Sequence, residues 1–196
     1  MKTNRLEAFS DGVFAILITI MVLEFHIPQE ASLEALLPLI PVFLSYLMSF
    51  IMLGIYWNNH HHLLQASKHV NGAVLWANVH LLFWLSLVPF VTGWMGEHNF
   101  APVPVGVYGV VMCFAGFAYY LLSRALVALH GGESTLAKSL GRDWKGLASL
   151  AMYIAAIALS FVNSWISCAV YVAVLVMWII PDRRLEKGLV KQPSTE

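Results

Sequence analysis

Charge is what this sequence has least of: only 11 % of its 196 residues are Asp, Glu, Lys or Arg. A soluble domain of that size carries about twice as much, and the gaps between apolar runs reach only about twenty residues, too few to fold separately. Cysteine is nearly absent. Cys113 and Cys168 both lie inside apolar runs, which excludes a disulfide framework or a thiolate metal cluster and leaves them as small core residues. No phosphate-binding glycine loop, zinc-enzyme signature or Ser/His/Asp arrangement occurs anywhere. The residues therefore assign no catalytic chemistry, and neither a cofactor nor a nucleic-acid partner is expected.

What is abundant is apolar, at 59 % of residues. Crossing a hydrocarbon core of about 30 Å takes roughly 17 to 25 such residues, and six windows qualify. They run near 7–26, 34–57, 73–95, 103–126, 146–163 and 165–181, giving an all-α integral membrane domain over 1–181 and a short polar tail over 182–196. Breaks fall at Pro28, around Gly72, at Gly96 with Pro102 and Pro104, at Gly131 and Gly132, and at Pro181. The last two spans nearly fuse, so Asn163, Ser164 and Trp165 must turn the chain tightly.

Six spans place both termini on one side. All eleven basic residues (Lys2, Arg5, Lys68, Arg124, Lys138, Arg142, Lys145, Arg183, Arg184, Lys187 and Lys191) then fall on that side. The opposite side carries Glu24, Glu30, Glu34 and Glu97 and no lysine or arginine. The positive-inside rule makes the basic side, and both termini, cytoplasmic; five or seven spans would split the basic residues between the two faces. The first span could serve as a secretory signal, but Glu7 and Asp11 occupy the would-be basic region and no small-x-small site follows Leu23.

The first span, "RLEAFSDGVFAILITIMVLE", carries an acid just before its apolar run. On a helical wheel with Ile16 at zero, Thr19 lies at about −60°, Ile20 at about +40° and Leu23 at about −20°. On the same wheel Asp11 lies at about −140° and Ser10 at about +120°. One face is thus aliphatic with a single hydroxyl, and the other carries a polar patch at the cytoplasmic end. A carboxylate in a span costs a few kcal/mol unless it is paired or solvated. Candidate partners are Arg5, the run His60, His61 and His62 ending the second span, and Trp76, Asn78 and His80 opening the third. Interfacial water could instead solvate Asp11.

The aliphatic stripe is open to two readings. In a monomeric bundle it is core; in a homo-oligomer, several copies around an axis would stack rings of Ile16, Thr19, Ile20 and Leu23 along a narrow channel. Hydrophobic rings gate by excluding water, and a hydroxyl ring replaces part of a cation's hydration shell. Other classes stay in view. An ion- or proton-coupled secondary transporter wants an ionisable group near mid-membrane, broken helices and an internal repeat, whereas Asp11 lies near one end and no repeat is visible. A membrane metalloenzyme would use the His60–His62 cluster, but it needs several separated histidine boxes and one run exists.

The stretch R-x-x-x-F-S-D (Arg5, Phe9, Ser10, Asp11) followed by A-I-x-x-T-x-x-x-L through Ile16, Thr19 and Leu23 resembles the first-helix signature of the transmembrane protein 175 family of potassium channels. Tyr56–Trp57 with His60–His61, and Trp76, Asn78 and Phe83 followed by Pro89–Phe90, resemble its second- and third-helix patterns. The second half of the chain resembles it by span count alone, and one six-span unit is similar to the prokaryotic members. The resemblance implies passive, potassium-favouring cation conduction through a homotetramer in a prokaryotic cell membrane. It also implies a pore lined by first helices, with constriction rings of Ile16, Ile20 and Leu23, selectivity at Thr19, and a network of Arg5, Phe9, Ser10, Asp11, His60, His61, Trp76 and Asn78 holding the pore helix. Potassium is the permeant ion, other monovalent cations accompany it, and no metal site is implied. No T-V-G-Y-G filter is present, so modest selectivity is expected.

Overall fold

Proline and glycine set the element boundaries in the computed structural model, which describes residues 3–67, 69–131 and 144–179. Among the described residues there are seven α-helices: α1 (Asn4–Ile20), α2 (Ile40–Gln65), α3 (Gly72–Ser86), α4 (Val88–Glu97), α5 (Pro102–His130), α6 (Trp144–Ser160) and α7 (Ser164–Ile179). Short 3₁₀ turns extend α1 over Met21–Glu24 and precede α2 over Glu34–Leu39. Pro41 and Pro102 sit in the first turns of α2 and α5, where a missing N–H costs nothing. Asn71 caps α3, its side chain accepting from the Val74 N–H at 3.0 Å. Gly131, at a positive φ of 83°, closes α5.

Three details differ from the sequence reading. The second span runs on past Trp57 to Gln65, so the histidine run is helical. The third span is two helices broken at Leu87, because Pro89 has no N–H to continue the ladder. Four helical stretches, 4–24, 34–65, 72–97 and 102–130, are long and apolar enough to cross a membrane. Helices α6 and α7 are apolar but shorter, described over 17 res and 16 res respectively. Each rises about 25 Å, near the margin for a span. The expected turn between α6 and α7 is present: Asn163 Oδ1 accepts from the Trp165 N–H at 3.0 Å. The tail 182–196, the breaks at Gly132 and Pro181, and eight of the basic residues (Lys2, Lys68, Lys138, Arg142, Arg183, Arg184, Lys187 and Lys191) lie outside the described residues.

Helix α5 is the hub, packed by α3 and α4 on one side and by α6 and α7 on the other. Its small positions let neighbours approach: a Cβ on Gly109 would collide with the Tyr171 hydroxyl, and Ala115 and Ala118 are fully buried. Tyr171 Oη donates to the Val105 carbonyl at 3.0 Å, and Thr92 and Ser49 pass a buried hydrogen-bond chain to Tyr108. After α4 the chain turns through two consecutive left-handed residues, Asn99 and Phe100. Burial of the Phe100 ring against Trp165, and a 2.9 Å bond from its N–H to the Met95 carbonyl, hold that conformation. Helix α1 lies outside this hub, against α2, α3 and α4.

Candidate functional site: the outward face of α1

Helix α1 has two sides, as its wheel predicts. Leu6, Ser10, Phe14, Leu17 and, one step beyond the helix, Met21 point into the bundle and are buried. Ile16, Thr19, Ile20 and Leu23 point outward, with Ile16 59 % and Leu23 76 % exposed. The monomeric-core reading of the stripe therefore fails, because nothing among the described residues of the subunit covers it. The Thr19 hydroxyl donates to the Ala15 carbonyl at 2.8 Å and to the Ile16 carbonyl at 3.0 Å. With its proton committed to the backbone, the outward oxygen offers lone pairs only, the polarity a cation needs.

Behind that face runs a buried polar chain. The Asn78 amide nitrogen donates to Ser10 Oγ at 3.0 Å, and Ser10 Oγ donates to the Leu6 carbonyl at 2.9 Å. Asn78 Oδ1 lies 2.7 Å from His60 Nε2. An amide oxygen only accepts, so Nε2 is the donor. Ser10, Asn78 and His60 have no solvent exposure. Three helices are thus pinned at one point, and the Phe14 ring tilts against His60 with centroids 5.6 Å apart.

A second set of contacts lies at the edge of the α1–α2 seam. Trp57 Nε1 donates to Asp11 Oδ1 at 3.0 Å, and one turn further along each helix His61 Nδ1 lies 2.8 Å from Glu7 Oε1. The helices are antiparallel, so positions four apart on one meet positions four apart on the other. Trp57 and His61 also stack at 6.0 Å, joining the two contacts into a ladder.

Not every expected member takes part. Asp11 pairs with Trp57 instead of a histidine. Trp76 is 76 % exposed. Two residues along a helix turn it about 200° away from the buried Asn78. Arg5 is exposed and does not join either group of contacts among the described residues. Phe9 is 58 % exposed. It sits at about +20° on the wheel, within the outward stripe. His60, His61 and His62 are successive helical residues about 100° apart and cannot converge on one ion. Among the described residues no cluster of three metal-ligating side chains occurs. His80 instead accepts from Trp84 Nε1 at 3.0 Å. Trp57 and Glu7 were not read from the sequence as partners of Asp11 and His61, although the matched spacing of four residues on each helix carried the signal.

A family model described as the endosomal/lysosomal potassium channel TMEM175 matches residues 5–89, the part that contains α1, α2 and α3. A protein named a potassium channel from Chryseobacterium sp. (strain P1-3) is 48% identical over 189 residues, which are 96% of this chain and 98% of that one. Another so named, from Chamaesiphon minutus, is 34% identical over 86% of this chain and 89% of its own. The fold is similar to the crystal structure of a lysosomal potassium-selective channel TMEM175 homolog from Chamaesiphon minutus, with a TM-score of 0.78 and 30% identity over 92% of this chain and 97% of that one. With residues 5–89 matched by the family model and nearly its whole length by a relative, this integral membrane chain belongs to the TMEM175 channel family.

Proposed function

We propose that the chain is a potassium-permeable cation channel of a prokaryotic cell membrane, assembled as a homotetramer whose α1 helices line a central pore. Six spans per subunit, with α6 and α7 as the fifth and sixth, put both termini in the cytoplasm. Ile16, Ile20 and Leu23 form hydrophobic constriction rings that exclude water until the pore widens. Thr19 forms an oxygen ring between them that favours a cation and gives modest preference for potassium over sodium. Ser10, Asn78 and His60, with the ladder of Asp11, Trp57, His61 and Glu7, fix the pore helix to its own subunit. Asp11 stabilises the helix without touching the ion.

The observation that carries this reading is the exposed stripe on α1 backed by a buried, hydrogen-bonded polar chain that ties it to α2 and α3. Lipid contact alone would not call for that rigid backing. The names of the relatives support conduction of potassium over transport or catalysis. Planar-bilayer recording of the purified protein with potassium against sodium, alongside a mass measurement of the oligomer, tests it. A passive, potassium-favouring current from a four-subunit particle is expected, with Ile16→Asn raising the conductance. Absence of current, or a monomer in the active fraction, overturns the proposal.

A further inference from the structure

The outward stripe of α1 is not uniform along its length. From the amino end it reads Phe9, Gly12, Ile16, Thr19, Ile20 and Leu23, and Gly12 alone has no side chain. A Cβ built on Gly12 meets nothing within 4 Å, so no packing inside the subunit requires the glycine. An interior helical glycine costs roughly 0.5–1 kcal/mol relative to alanine, so this one is explained by the space it leaves on the outward face. Phe9, one turn below, presents its ring to the same side and is 58 % exposed.

We infer that the four α1 helices enclose a cytoplasmic chamber at the level of Gly12, floored by four Phe9 rings and roofed by the Ile16 constriction, and that it holds a monovalent cation, including organic ammonium ions. The inference rests on the proposed pore. From Phe9 to Ile16 the chamber is about 10 Å tall, room for a cation with part of its hydration shell or for a tetraalkylammonium. Aromatic rings attract such cations through their faces. Asp11 adds negative charge at the same level from behind the helix, held there by Trp57. An ion waiting at the Ile16 ring is thereby concentrated before the dry passage, and a large ammonium that cannot pass blocks the pore from this side.

The test is block by tetraethylammonium added to one face of oriented single channels. Cytoplasmic addition blocks the wild type and extracellular addition does not. Phe9→Leu weakens the block about tenfold and Phe9→Tyr retains it, the range expected for a partly desolvated cation on aromatic rings. Gly12→Leu, which fills the chamber without touching the subunit interior, abolishes the block. Absence of cytoplasmic block in the wild type, or equal block in wild type, Phe9→Leu and Gly12→Leu, overturns the chamber. If conductance nevertheless rises in Ile16→Asn, the pore reading survives and the chamber alone is wrong; if Ile16→Asn leaves conductance unchanged, the pore reading falls with it.

Discussion

Asn78 is the residue on which the α1 anchor turns, since its amide both accepts from His60 and donates to Ser10. Asn78→Ala leaves His60 Nε2 buried and unpaired and Ser10 with its bond to the Leu6 carbonyl alone, and it is expected to destabilise the subunit by about 1–3 kcal/mol, read as a lowered melting temperature in detergent. An unchanged melting temperature would contradict the anchoring role. Asp11 lies at the edge of the seam, bonded to one indole. Asp11→Ala is expected to reduce the yield of assembled protein more than it changes permeation in the channels that form. A variant that assembles fully but conducts with altered selectivity would place Asp11 on the ion path instead. The two faces of α1 were legible in the sequence because a rotation of about 100° per residue separates Ile16, Thr19, Ile20 and Leu23 from Ser10 and Asp11. Partner choice was not: a carboxylate accepts from an indole as well as from an imidazole, and only the register of α2 brings Trp57 to it. The same rotation explains Phe9 and Trp76, whose motif neighbours Ser10 and Asn78 are buried while they are not.

At the scale of elements, close approach between helices depends on positions that lack a side chain. Gly96 on α4 is one, where an added Cβ would stand 2.7 Å from Val42 Cα on α2. Backbone cannot yield as a side-chain tip can, so Gly96→Ala is expected to cost about 1–3 kcal/mol through overpacking. Gly54→Ala on α2, with nothing within 4 Å of the new methyl, serves as the control and is expected to keep or raise the melting temperature, since alanine gains roughly 0.5–1 kcal/mol over glycine inside a helix. Equal stability of the two variants would contradict the close α2–α4 packing. The break of the third span shows why element ends are harder to read than element existence. Hydropathy runs unbroken from Gly72 to Glu97, and the interruption at Leu87 is written only in Pro89. The histidine run posed the same problem, since a polar stretch reads as the end of a span while the backbone continues helical to Gln65.

The whole molecule is a bundle built around α5, and among the described residues the outward stripe of α1 is left uncovered. The paired polar chain at its back makes α1 a rigid element presenting a smooth face, and four-fold assembly of such faces yields rings without any further device. All-helical class and a membrane-grade composition followed from apolar run length alone, whereas the number of crossings depends on α6 and α7, whose described lengths fall near the margin. The central claim is that Ile16 faces the ion path. It is tested most directly by Ile16→Cys in a background with Cys113→Ser and Cys168→Ser, recorded before and after a charged thiol reagent. Modification is predicted to remove most of the current, while Ile154→Cys on α6, 62 % exposed in the subunit and turned away from the proposed pore toward lipid, keeps its current under the same treatment. A fully labelled Ile16→Cys channel whose current is unaltered would contradict the account.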